Sequence, residues 1–136
     1  MTRAVVFPYK VYRNFPCPII PLGLYHAGQW FQTEAYVDSG ASISIFSPLE
    51  AHRIGLDFTR GRKIFSTVGD GNAIPVYLHR LATKIGKSRL QATIGFSRQL
   101  GVGFNLLGRK DFFNRFDILF SDSRRTISFL YPRQVR

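Results

Sequence analysis

The sequence has a single cysteine, few acidic residues and no long apolar run. Because Cys17 is the only cysteine among 136 residues, an internal disulfide is excluded. Its position between two prolines favours a small packed residue over a reactive thiol. No apolar run approaches the ~20 residues of a membrane span, and the apolar residues 4–7 are too few for the core of a signal peptide. We therefore expect a cytoplasmic protein without a membrane partner.

Acidic residues are outnumbered by basic ones, 8 to 19, which gives a formal net charge of +11. Such a charge attracts polyanions in a salt-sensitive way. The basic residues are scattered along the chain and no recognised nucleic-acid-binding module is present, so we expect no specific nucleic acid partner. Because His26, His52 and His79 do not have the spacing of metal ligands, we expect no metal site and no cofactor.

Alternating apolar and polar residues predict β-strands over residues 30–37, 62–68, 76–85, 90–96 and 116–120. Residues 4–7 are predicted as a terminal strand, and residues 26–29, 86–88 and 121–125 as turns. One short helix begins with a capping box from Ser47 to Glu50 and ends at Gly55. A second is predicted from residue 109 to about residue 115. The pattern therefore indicates an all-β domain with one or two short helices.

The segment Asp38-Ser39-Gly40-Ala41 lies between two apolar stretches and places a carboxylate on a tight turn. Such a carboxylate requires hydrogen bonds, a partner charge or a proton, because its desolvation is costly. Two carboxylates that share a proton can hydrolyse a peptide bond, one as general base toward water and the other as general acid toward the carbonyl. Neither Asp70 nor Asp122 repeats the motif. We therefore expect the second carboxylate from another subunit, since a two-fold axis brings identical turns face to face.

A second segment, residues 106–108, is consistent with a close packing of the chain against the Asp38 turn. Two apolar residues, Leu106 and Leu107, precede Gly108, and a glycine there can pass close to the Asp38 turn where only a residue without Cβ fits. Together the two segments resemble the retropepsin-like aspartic peptidases, the single-lobe, homodimeric relatives of pepsin. The resemblance covers roughly residues 19–129 by the order of segments. It implies the closed β-barrel of the acid-protease fold.

The resemblance implies a role for each residue of the first segment. Asp38 matches the catalytic aspartate, and Ser39 matches the hydroxyl residue whose side chain braces the paired loops across the dimer. Gly40 and Ala41 complete that loop. We expect residues 1–18 to be an extended N-terminal segment that packs on the domain, and residues 19–136 to form the peptidase domain.

The resemblance also assigns roles in the second segment, in which Leu106, Leu107 and Gly108 match the structural crossing behind the catalytic loop. Arg109 matches an arginine that usually pairs with an acidic residue just after that loop. In this chain the position just after the loop is Ser42, which is not acidic. Asp111 is an alternative acidic partner for Arg109.

A hairpin that covers the substrate is the third element that the resemblance implies. The β-prone residues 64–68 and 73–76 are joined by a turn that contains Asp-Gly, a strong hairpin signal. Glycines beside the tip let such a hairpin close over a bound peptide and exclude water. We predict a substrate-binding flap formed by Val68, Gly69, Asp70, Gly71 and Asn72. An ordinary surface hairpin is the alternative.

These observations predict an aspartic endopeptidase that acts as a homodimer on a polypeptide substrate. A water activated by the pair of Asp38 carboxylates would hydrolyse the peptide bond. The alternative is a catalytically silent retropepsin-like module that dimerises or binds peptides, since a fold alone does not establish activity.

Overall fold

The computed structural model describes residues 4–67 and 69–131 of the chain. β-Strands make up 56% of it, which confirms the all-β class. The described residues contain twelve strands, which in chain order are β1 (Ala4–Pro8), β2 (Lys10–Tyr12), β3 (Phe15–Cys17), β4 (Ile19–His26), β5 (Gln29–Val37), β6 (Ser44–Phe46), β7 (Arg62–Thr67), β8 (Ala73–Ile85), β9 (Ser88–Phe96), β10 (Leu106–Leu107), β11 (Asp117–Ser121) and β12 (Thr126–Leu130). No helix in this part of the chain has the length and hydrophobicity of a membrane span.

Six of these strands form a closed barrel. Their order around the ring is β4, β5, β10, β6, β9 and β8, and pairing of β8 with β4 closes it. Strand β7 is not part of the ring. It is an edge strand that pairs with β8. Strand β10 runs parallel to β5, and β6 runs parallel to β9. The closed β-barrel predicted from the sequence is confirmed.

Phenylalanine side chains fill much of the core. Five of them are less than 2% exposed: Phe46, Phe96, Phe112, Phe116 and Phe129. The rings of Phe46 and Phe96 meet edge to face with their centroids 6.3 Å apart, and those of Phe116 and Phe129 at 5.5 Å. Each aromatic ring buries a large apolar area, and all five belong to one buried cluster that includes residues of the barrel and of the strands outside it.

A second sheet carries both ends of the described chain. Strand β12 lies between β1 and β11, and all three are antiparallel, so the predicted terminal strand at residues 4–7 is confirmed. Strands β2 and β3 form a separate hairpin that the sequence did not predict. Three prolines in residues 8–18 interrupt the alternation from which a strand is recognised.

The first predicted helix is confirmed and the second is wrong. Helix α1 (Pro48–Arg53) begins after Ser47 and is followed by Gly55 at φ +76°, although the Ser47 side chain makes no capping hydrogen bond. Residues 109–116 form a series of turns with isolated helical hydrogen bonds instead of a regular helix. Asp111 interrupts the helical path because its φ is 70°, in the left-handed region.

Candidate active site

Asp38 lies on a tight turn directly after β5. Its backbone N–H donates to the Leu107 carbonyl oxygen at 3.0 Å, which extends the pairing of β5 with β10 by one residue. The Asp38 carboxylate accepts a hydrogen bond from the Gly40 N–H at 2.9 Å, and the Asp38 carbonyl accepts one from Ala41 at 3.2 Å. A Cβ on Gly40 would lie 3.2 Å from the carboxylate oxygen. The turn therefore holds a half-buried carboxylate in a fixed direction.

Gly108 packs directly against the backbone that follows this turn. Its N–H donates to the hydroxyl of Ser44, which is fully buried, at 2.9 Å. A Cβ at position 108 would lie 2.3 Å from the Ile43 carbonyl oxygen and 2.9 Å from that of Ala41. Any larger residue would push this backbone away. The structure thus brings the two sequence motifs into direct contact.

Main-chain hydrogen bonds continue the contact beyond Gly108. The Arg109 N–H donates to the Ala41 carbonyl at 2.8 Å, and the Lys110 N–H donates to the Ser42 carbonyl at 3.0 Å. These bonds need no particular side chain, so the loop after Asp38 is held even though position 42 is not acidic.

Asp111, the alternative partner considered for Arg109, pairs with a different arginine. The Asp111 carboxylate pairs with Arg80 on β8 at 3.0 Å and accepts a hydrogen bond from the Thr93 N–H at 2.8 Å. The Arg109 side chain is exposed and forms no ion pair with the described residues. The Asp111 backbone is in the left-handed region, and its carboxylate is directed to β8 and β9.

Asn105 is a buried anchor that the sequence analysis missed. Its side-chain oxygen accepts a hydrogen bond from the Ser47 N–H at 2.9 Å, and its amide nitrogen donates to the Glu34 carbonyl at 2.9 Å. This side chain therefore joins β5 to the start of α1. A polar residue between Phe104 and Leu106 was the available signal, since a buried polar group in an apolar segment needs hydrogen-bond partners.

Tyr36 on β5 packs against Phe104, the residue that precedes Asn105. Its ring stacks on Phe104 with the centroids 4.8 Å apart, and Tyr12 packs edge to face on Phe104 at 5.3 Å. Burial raises the pKa of Tyr36, with smaller contributions from Cys17 and Asp38. The hydroxyl therefore remains neutral beside the Asp38 turn at physiological pH.

The predicted flap is an antiparallel hairpin formed by β7 and β8. Thr67 pairs with Ala73 at its end, and Gly71 in the tip has φ +86°. Asp70 accepts hydrogen bonds from both the backbone N–H and the side-chain amide of Asn72 at 2.9 Å. These bonds hold the pKa of Asp70 below its usual value, so its carboxylate stays ionised in mildly acidic solution. Val68 lies outside the described residues.

A cavity of about 830 Å³ lies between the Asp38 turn and this hairpin. Of the predicted site residues, Asp38, Gly40, Ala41, Gly69, Asp70 and Asn72 line it. Ser39, Gly71, Leu107, Gly108 and Arg109 do not; the last three lie in the segment that supports the turn from behind. Residues 99–102, which the sequence analysis did not assign to the site, complete the wall. The large apolar side chains in the lining are Ile43, Ile45, Ile74, Leu100, Val102 and Leu106.

The charge of this cavity is opposite to that of the whole chain. Asp38 and Asp70 are the ionisable side chains among the described lining residues, and no lysine or arginine is among them. The chain as a whole has a formal charge of +11. In residues 4–67 and 69–131 no group of three His, Cys, Asp or Glu side chains is placed to hold a metal ion. The arrangement therefore suits acid–base chemistry by carboxylates inside a partly apolar cleft.

The barrel, the braced turn and the overlying hairpin together define a retropepsin-like aspartic protease fold. Solved structures share this fold, among them two proteases. The chain is similar to the crystal structure of a retropepsin-like aspartic protease from Rickettsia conorii, with 16% identity, coverage of 96% of this chain and 93% of that chain, and a TM-score of 0.69. It is also similar to the EIAV protease complexed with the inhibitor HBY-793, with 17% identity, coverage of 74% and 88%, and a TM-score of 0.53. No protein-family model and no curated protein matches the sequence.

Proposed function

We propose that the protein is an aspartic endopeptidase whose active form is a homodimer with one Asp38 from each subunit. The observation that carries the proposal is the position of Asp38, on a turn braced by Gly108 and at the wall of a cavity covered by the β7–β8 hairpin. A single chain offers one such turn. A two-fold axis next to Asp38 would supply the second carboxylate.

In the proposed reaction the two Asp38 carboxylates share one proton and hold a water between them. The ionised carboxylate takes a proton from the water as the oxygen attacks the scissile carbonyl carbon, and the other carboxyl group gives its proton to the carbonyl oxygen. Collapse of the tetrahedral intermediate breaks the C–N bond and passes a proton to the leaving amine. No covalent enzyme intermediate forms. The reaction requires one proton on the pair, so activity falls at both extremes of pH and is highest in acid.

The cleft suits an extended polypeptide. Ile43, Ile45 and Ile74 offer apolar contacts for its side chains, and the β7–β8 hairpin offers backbone groups beside it. Closure of the hairpin over the peptide would exclude water other than the reacting molecule, which strengthens the electrostatic interactions inside the site.

The test is cleavage of unfolded casein from about pH 3 to pH 7 by the wild type and by Asp38→Asn. We expect the substitution to lower the rate roughly 10²- to 10⁴-fold, the contribution of a positioned acid–base group. Asp117→Asn is the matched control, because it makes the same chemical change at an exposed position on β11 and should keep full activity. Inhibition by a pepstatin-type compound is expected. An Asp38→Asn protein that cleaves as fast as the wild type would refute the proposal.

A catalytically silent peptide-binding or dimerisation module is the second candidate. It is favoured by one observation, the exposed Arg109 side chain without an ion pair among the described residues, where the family pattern has a paired arginine. This candidate predicts that a dimer at micromolar concentration binds unfolded polypeptide without cleaving it at any pH in the test.

A further inference from the structure

Two positive side chains face each other on the outer surface of the barrel, away from the Asp38 cavity. Lys84 on β8 lies directly opposite Arg89 on β9 in the register of the sheet. Like charges at opposed positions destabilise a sheet, and such a pair is normally avoided. No carboxylate is paired with either side chain among the described residues. The pair therefore suits an anionic partner from outside the chain.

An exposed aromatic pair adjoins these two cations. Tyr25 and Trp30 are opposed on β4 and β5, with ring centroids 5.2 Å apart, and they are 40% and 38% exposed. The Arg89 guanidinium lies 5.5 Å from the centre of the Trp30 ring, within the range of a cation–π contact. A Cβ on Gly23 would lie 3.2 Å from the Trp30 ring. The ring can therefore lie against the sheet because position 23 has no side chain.

The positive surface continues from Arg89 toward the turns that follow β10. A cavity of about 600 Å³ is lined by Arg80, Arg89 and Arg115, and a neighbouring one of about 430 Å³ by Tyr25, Trp30 and Arg89. Asp111 is the carboxylate among the residues of these two cavities, and it is already bonded to Arg80 and to the Thr93 N–H. The two cavities share Arg89, Leu90 and Gln91, so they form one continuous surface. We call it the basic–aromatic face, defined by Tyr25, Trp30, Arg80, Lys84, Arg89 and Arg115.

We propose that the basic–aromatic face binds single-stranded nucleic acid without sequence preference. The arginines and Lys84 would contact the phosphates, and one base would stack on Trp30 or Tyr25. Basic side chains interleaved with exposed aromatic rings are the combination that single strands require, because each base offers a face for stacking and each nucleotide a charge. An acidic polypeptide would pair with the basic side chains but would leave the Tyr25 and Trp30 rings without a stacking partner. A duplex keeps its bases inside the helix and out of reach of the rings.

This proposal is independent of the proteolytic one. The basic–aromatic face and the Asp38 cavity have no lining residue in common among the described residues. Binding at one surface can therefore be measured while the other is disabled, and Asp38→Asn is a suitable background in which no proteolysis disturbs the titration.

The natural reporter for the experiment is Trp30, because the chain contains one tryptophan. Full-length protein is titrated with oligo(dT) of about ten nucleotides, a length within the usual site size of such surfaces, and Trp30 fluorescence is followed. We expect saturable quenching. The logarithm of the association constant should fall with the logarithm of salt concentration with a slope of roughly −2 to −3, as for three or four phosphate contacts on a single strand.

Two variants separate charge from stacking. Lys84→Gln/Arg89→Gln should weaken binding at least tenfold and flatten the salt slope, since two phosphate contacts are removed. Arg60→Gln/Arg62→Gln removes the same charge from exposed positions outside the basic–aromatic face, and it should change the affinity less than threefold. Tyr25→Leu leaves the charge unchanged and should weaken binding roughly fivefold or more.

Three results would each overturn the proposal. The first is the absence of a Trp30 fluorescence change at saturating oligo(dT). The second is equal affinity for polyglutamate or for a duplex of the same length, which would identify a general polyanion surface. The third is an equal loss of affinity in the Arg60/Arg62 control, which would assign binding to the net charge of the whole molecule.

Discussion

At the scale of single residues, the position of Asp38 depends on a glycine seventy residues away in sequence. Gly108 lies so close to the Ile43 carbonyl that a Cβ would overlap it at 2.3 Å. The Ile43 backbone belongs to the connection from the Asp38 turn to β6. A side chain at position 108 therefore displaces the carboxylate through the backbone, with no direct contact between the two side chains.

Gly108→Ala should lower the free energy of unfolding by roughly 1–3 kcal/mol, the usual cost of overpacking a close backbone contact. It should also reduce cleavage beyond what the loss of folded protein explains, because the turn that carries Asp38 moves. Urea unfolding gives the first quantity and kcat/KM, corrected for the folded fraction, gives the second.

Gly69→Ala is the matched control for the unfolding measurement. A Cβ at position 69 has no neighbouring atom within 4 Å, so the same change should alter the unfolding free energy by less than about 0.5 kcal/mol. If Gly108→Ala lowered the free energy of unfolding as little as Gly69→Ala, the close contact between the two motifs would not be needed for the fold.

At the scale of elements, the first strand is joined to the β11–β12 turn by Tyr9. The Tyr9 hydroxyl donates to the Asp122 carboxylate at 2.8 Å, and the Tyr9 N–H donates to the Arg125 carbonyl at 2.7 Å. Burial and the hydrogen bond to Asp122 raise the pKa of Tyr9 to about 12. Because the folded value is above the unfolded value of about 10, the contribution of Tyr9 to stability is complete below pH 10 and is lost as the pH rises to 12.

Tyr9→Phe should therefore lower the free energy of unfolding by roughly 0.5–1 kcal/mol at neutral pH. The difference from the wild type should disappear between pH 10 and pH 12. Unfolding in urea at several alkaline pH values measures it. Tyr12→Phe is the control, because the Tyr12 hydroxyl makes no hydrogen bond to the described residues and should show no such convergence. A constant difference across this pH range would exclude the Tyr9–Asp122 bond as its source.

Elements whose signals are local were predictable, and those that depend on distant partners were not. The barrel strands β5, β8 and β9 follow from alternation, and the β7–β8 hairpin follows from its Asp-Gly turn. The other three barrel strands, β4, β6 and β10, were not predicted from alternation. The helix predicted at residues 109–115 failed because Asp111 bonds to Arg80 and Thr93, which are far away in sequence. The role of Asn105 was not predicted either, because its hydrogen-bond partners on β5 and at the start of α1 are also far away in sequence. Within the candidate site, the Asp38 turn could be found from sequence, but the wall formed by residues 99–102 could not.

At the scale of the whole molecule, the proposed chemistry requires two chains, each with a formal charge of +11. Like net charges oppose association, and salt screens this repulsion. Raising the salt concentration should therefore strengthen the dimer while it weakens nucleic acid on the basic–aromatic face. The two proposals respond to the same variable with opposite signs, so one salt series measured by sedimentation and by Trp30 fluorescence distinguishes them.

Mixing experiments give the sharpest test of a shared pair of carboxylates. At concentrations where the protein is dimeric, an equal amount of Asp38→Asn should lower the activity of a fixed amount of wild type to about half, because random exchange places half of the wild-type chains in mixed dimers that have one Asp38. On dilution, the wild-type rate should fall with the square of the protein concentration as dimers dissociate. Asp117→Asn added in the same amount should instead contribute its own activity. A rate that stays linear on dilution, and is unchanged by the Asp38→Asn protein, would mean that one chain catalyses alone, and the symmetric pair would have to be abandoned.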